Sequence, residues 1–100
     1  MSFWKGFENQ TRKATFKRHV ILFCWDGSAS DVKKIVDKAR LIHPTVKVKA
    51  ISDGTKLMAH RITELPTIVL LKNGREVDRL SGMHTKNQSL VDQLFRKAGS

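Results

Sequence analysis

The chain has 100 residues, 40% of them hydrophobic, and 19 Lys and Arg against 9 Asp and Glu, a formal net charge of +10. A chain this short builds one modest core, so a single domain over residues 1–100 is expected, and no apolar run approaches the ~20 residues that cross a bilayer as a helix. One cysteine, Cys24, excludes a disulfide within the chain and any cysteine-built metal centre.

Phe3, Trp4, Phe7, Thr11 and Ala14 recur at helical spacing, which predicts an amphipathic helix from about Phe3 to Ala14 inside a basic N-terminal segment, 1–18. The densest basic patch, Arg12, Lys13, Lys17 and Arg18, lies there, and the core is expected over 19–98. The start lacks the basic-then-apolar pattern of a secretory leader, so a cytoplasmic protein is expected. The basic, acid-poor stretch from Phe3 to Arg18 makes the mitochondrial matrix the alternative.

His19 to Trp25 is apolar, β-branched or aromatic and bounded by Asp26-Gly27-Ser28, the pattern of a buried strand. Ser28 and Asp31 have the spacing of a capping box opening a helix. That helix carries Val32, Ile35, Val36 and Ala39 on one face and stops before Pro44. Thr45 to Ser52 alternates Val46-Lys47-Val48-Lys49-Ala50, a half-covered strand. Asp53-Gly54 then turns into a short helix, Lys56 to His60.

Pro66 precedes Thr67-Ile68-Val69-Leu70-Leu71. Proline cannot donate a ladder hydrogen bond, so it belongs at the strand's start or in a tight turn. A run apolar at every position predicts a strand covered on both faces. Asn73-Gly74 marks a hairpin into a shorter strand around Glu76 to Leu80. Gly82 follows, Thr85 and Gln88 have capping-box spacing, and a last helix carries Leu90, Val91, Leu94 and Phe95 to its end at Ala98-Gly99. This order predicts an α/β fold of three layers, with a parallel strand pair, an antiparallel hairpin and a closing helix.

From His19 onward the order and its punctuation resemble thioredoxin. Trp25-Asp26-Gly27-Ser28-Ala29 stands where that family has Trp-Cys-Gly-Pro-Cys, Pro66 matches its cis-proline, and Gly82 the glycine after its last strand. The likeness covers about four-fifths of the chain by elements. It implies a thioredoxin-like three-layer sandwich with about four strands in a mixed sheet and helices on both faces. The family's first strand is absent from this reading, which leaves the Val46–Ile51 strand at an edge guarded by Lys47 and Lys49.

Both cysteine positions are lost, to Asp26 and Ala29, and the alternative placement on Gly27-Ser28-Ala29-Ser30 holds no thiol either. Thiol–disulfide exchange needs an attacking thiolate and a resolving thiol. The family's buried acid in the preceding strand is also replaced, by the apolar Val20-Ile21-Leu22-Phe23. The expectation is therefore no enzyme and no cofactor, but a redox-inactive module that binds a protein partner of acidic character. Carried over from the family, the recognition surface comprises Trp25, Asp26, Gly27, Ser28 and Ala29, then Leu65, Pro66 and Thr67, then Ser81, Gly82 and Met83. The charge keeps nucleic acid or a nucleoprotein complex as the alternative partner. A monothiol oxidoreductase using Cys24 is a minor alternative; a small buried hydrophobe is the plainer reading of that residue. The four histidines show no ligand spacing, so no metal is expected.

Overall fold

The computed structural model describes residues 19–99. The helix expected over Phe3 to Ala14 and the basic patch at Arg12, Lys13, Lys17 and Arg18 lie outside them. Eight elements follow in chain order: β1 (His19–Cys24), α1 (Ser30–Ile42), β2 (Lys47–Ile51), α2 (Gly54–Ala59), β3 (Thr67–Lys72), β4 (Arg75–Ser81), a 3₁₀ turn (Gly82–Lys86) and α3 (Gln88–Gly99).

The strands form one sheet in the order β2-β1-β3-β4. β1 runs parallel to β2 and antiparallel to β3, and β3 pairs antiparallel with β4. The continuous apolar runs of β1 and β3 therefore occupy the two central positions, where both faces need cover. β2 holds an edge, with Lys47 and Lys49 exposed. Asn73 and Gly74 both take left-handed φ, 53° and 84°, the requirement of the tight hairpin turn whose twist matches its strands.

Alternation along the strands sends side chains to two cores. Ile21, Phe23, Ile68 and Leu70 meet Val32, Val36 and Ala39 of α1 and Val91, Leu94, Phe95 and Ala98 of α3. Leu22, Cys24, Ile51 and Val69 face the other way, with Leu57 and Ile62 from the α2 region packed on them. Each fully buried Ile, Leu or Phe contributes about 1.5–3 kcal/mol, so the first cluster dominates stability.

Local chemistry sets the helix ends, and twice it differs from the capping boxes expected. Ser28 does not cap α1. Asp26 captures it, with Oδ1 accepting from the Ser28 amide at 2.9 Å and its hydroxyl at 2.6 Å, and the helix starts at Ser30 without a side-chain cap. Thr85 is buried in the 3₁₀ turn and donates its hydroxyl to the Gly82 carbonyl at 2.6 Å. Asn87 caps α3 instead, its Oδ1 accepting from the Leu90 amide at 3.2 Å. Gln88 reaches across to the Ile35 carbonyl at 3.2 Å.

α2 starts at Gly54, two residues before the expected Lys56, because the Asp53 carboxylate accepts from the Thr55 amide at 2.8 Å. It ends in a Schellman pattern: Ile62 donates to the Leu57 carbonyl and Arg61 to the Met58 carbonyl, both at 2.9 Å. The pattern needs a left-handed residue at Arg61, φ 56°, where glycine is usual; a side chain there costs about 1–2 kcal/mol.

Candidate functional site

The strand registers bring three loops to one end of the sheet. Cys24 is opposite Thr67, Thr67 is opposite Ser81, and Cys24 is opposite Ile51 on its other side. Trp25, Pro66 and Gly82 are each one residue beyond this row. With neighbouring strands about 4.8 Å apart, Trp25 and Gly82 are roughly two strand spacings from one another with Pro66 between them. The row is also the carboxyl end of the parallel pair β1 and β2, where open α/β sheets leave a crevice.

Each loop has its own local anchor. Trp25 donates its amide to the Ile51 carbonyl at 3.0 Å and stacks its indole on Phe23, centroids 4.9 Å apart, which leaves it half-buried. Gly27 has φ 91°, which turns the chain back so that Asp26 can hold Ser28. The Ser28 hydroxyl and amide keep the exposed Asp26 carboxyl below its usual range. Asp26, Gly27 and Ser28 are exposed, and Ala29 tucks partly into the core.

The Leu65–Pro66 peptide bond is cis. Thr67, buried, donates its hydroxyl to the Glu64 carbonyl at 2.6 Å, and the Ser81 hydroxyl lies 3.4 Å from it. Gly82 donates its amide to the Pro66 carbonyl at 2.9 Å and takes φ 57°. A Cβ at Gly82 would lie 2.5 Å from the Glu64 carboxylate, so the glycine admits that side chain. Leu65 and Met83 stand out from this scaffold, 40% and 86% exposed.

Solved structures with this architecture are numerous. The chain is similar to thioredoxin from Fasciola hepatica at 18% identity and TM-score 0.67, covering 91% of this chain and 90% of that one. It is similar to Malassezia sympodialis thioredoxin at 19% and 0.69, covering 92% and 88%, and to a mutant thioredoxin of Halobacterium salinarum at 16% and 0.68, covering 95% and 87%. The chain has the thioredoxin fold. No family model matches it, and no curated protein does.

The loop after β1, Trp25 to Ala29, holds no sulfur, and the thiol of Cys24 points elsewhere. Cys24 lies in the second core cluster, fully buried, and burial pushes its thiol up to about 11 despite the opposing charge of Arg79. A thiol that stays protonated is a poor nucleophile. Among the described residues no three His, Cys, Asp or Glu side chains gather to share a metal ion, and no helix is long and apolar enough to cross a membrane.

Three parts of the site carried no signal in the sequence: the Thr67 hydroxyl beneath the proline, the Glu64 side chain against Gly82, and the Arg79 guanidinium behind the loop. A trough of about 1020 Å³ on the second sheet face is floored by Val20, Leu22, Ile51 and Leu71 and edged by Lys49 and Lys56.

Proposed function

We propose that this protein is a redox-inactive binding module that recognises an acidic protein partner through the rim formed by Trp25 to Ala29, Leu65 to Thr67, and Ser81 to Met83. One observation carries the reading. Two apolar side chains, Leu65 and Met83, remain exposed around a rigidly hydrogen-bonded proline, and the resemblance to thioredoxin would put that family's reactive sulfurs in the neighbouring loop, where this chain has none. An extended segment laid against Leu65 would find a free backbone edge and flanking apolar contacts, the mode of strand addition. The charge of the chain favours fast, salt-sensitive encounter with an acidic surface.

Affinity purification with the wild-type chain and with Leu65→Asp and Met83→Asp tests this reading. Both substitutions fall at exposed positions and leave the core intact. The same acidic protein should be recovered by the wild type and lost by both variants; undiminished recovery by both would refute the groove.

A second reading, association with nucleic acid, has its own observation. Lys34, Lys38 and Arg40 of α1, Lys47 and Lys49 of β2 and Lys56 of α2 are exposed and join none of the ion pairs among the described residues. An electrophoretic shift whose strength falls steeply with salt supports phosphate contacts, and no shift at low salt removes them.

A further inference from the structure

We infer that Arg79 is the positioning residue for the Leu65 side of the recognition rim, an inference that rests on the groove reading above. Arg79 is on β4, opposite Val69, two residues before the row that carries the rim. Its guanidinium makes four hydrogen bonds. Nε and Nη2 donate to the two carboxylate oxygens of Glu76 at 2.7 and 2.6 Å. Nη2 also donates to the His60 carbonyl at 3.1 Å, and Nη1 to the Arg61 carbonyl at 3.3 Å.

The two carbonyls belong to the end of α2, where Arg61 holds its left-handed turn. Helix ends leave such carbonyls without intrahelical partners, and here one planar fork meets both. From Arg61 the chain runs through Ile62 and Thr63 to Glu64, whose carbonyl is held by the Thr67 hydroxyl. The approach to Leu65 is thus pinned at both ends, by Arg79 in front and by Thr67 behind.

The fork is aimed by a defect in the strand. In a regular strand, residues three apart point to opposite faces. β4 carries one extra residue: Leu70 is opposite Asp78 but Leu71 is opposite Glu76, leaving Val77 unmatched and 54% exposed. The bulge shifts the phase and lets Glu76 and Arg79 share a side, and re-aiming a side chain is a recurrent use of such bulges. Glu76 holds the fork in plane while its other edge faces the loop. Lysine cannot reproduce this, because one ammonium has no fixed pair of donor directions.

The test compares Arg79→Lys, Arg79→Gln and Glu76→Gln with the wild type by amide hydrogen exchange. Binding is measured with a peptide selected on the wild-type chain from a random display library, with Leu65→Asp as control. Both Arg79 variants should speed exchange at Arg61 and Ile62, whose amides close the end of α2, about tenfold and weaken the peptide by a similar factor, with β1 and β3 amides unchanged, while Glu76→Gln falls between. Unaltered exchange at Arg61 and Ile62 in Arg79→Lys overturns the inference, as does a loss of protection shared equally by β1 and β3. A peptide insensitive to Leu65→Asp strikes the groove reading instead, and the exchange data still judge Arg79.

Discussion

Thr67 reaches back over the Leu65–Pro66 bond to the carbonyl of Glu64, a 2.6 Å hydrogen bond from a fully buried hydroxyl. This single contact joins the first residue of β3 to the loop in front of it and so couples core packing to the shape of the rim. Replacing Thr67 by valine keeps the volume and deletes the donor. The expected cost is about 1–2 kcal/mol in urea unfolding, with faster amide exchange concentrated at Gly82, which donates to the Pro66 carbonyl. A loss spread evenly through the sheet would place the hydroxyl's role in the core alone.

Cys24 should be silent as a nucleophile in the folded protein. Iodoacetamide at pH 8 is expected to label it only at the rate of unfolding, and denaturant should release full labelling. The thiol is raised in the folded state to about 11, from 9.0. Below that lower value both states keep the proton and nothing changes. Between the two values the unfolded chain ionises first, so stability falls as pH rises. Cys24→Ala should flatten that alkaline decline, which unfolding titrations at about pH 8 and about pH 10.5 read directly.

At acid pH the sign reverses. The Lys97 ammonium, 2.6 Å from Asp78, and the Arg79 guanidinium, 2.6 Å from Glu76, hold both carboxyls below their ordinary range. Their contribution is present above the unfolded carboxyl range near about pH 4 and is lost as pH falls through the lower folded values. The thermal midpoint should therefore drop below about pH 4, and Asp78→Asn should make the drop shallower. Both pairs are partly exposed, so added salt should shrink the difference.

Two left-handed glycines, Gly74 of the hairpin and Gly82 of the rim, predict different costs. Nothing crowds a Cβ at Gly74, so Gly74→Ala should cost only the backbone penalty, about 1 kcal/mol. Gly82→Ala carries the same penalty and also pushes on the Glu64 carboxylate. The double variant with Glu64→Ala should recover the second part alone. A double-mutant cycle from urea midpoints measures that coupling, and a value of zero would mean that the carboxylate swings away freely.

Much of this fold was legible in the sequence because its signals are periodic. The Val32, Val36, Ala39 stripe, the continuous run after Pro66 and the Asn73-Gly74 turn each follow from one local rule, and each element formed where that rule put it. The edge position of β2 and the resemblance to thioredoxin followed from their order. The caps were harder. Ser28 and Thr85 had the right spacing to partners downstream, but nearer acceptors, Asp26 and the Gly82 carbonyl, won the hydroxyls. A capping box is a rule about spacing, and spacing does not reveal a closer competitor. The Arg79 network was illegible for a related reason. Glu76 and Arg79 should face apart on a regular strand, and only the unmatched Val77, visible in the pairing with β3, brings them together.

The tight turn at Asn73–Gly74 lies at the far end of β3 from Thr67, about 20 Å away by strand rise. Open space surrounds Gly74, and both turn residues are exposed. A fluorophore, affinity handle or inserted reporter attached between them would sit at the opposite pole from Trp25 and Met83. Anchored to a sensor surface through that turn, the molecule would present its proline end outward to whatever flows past.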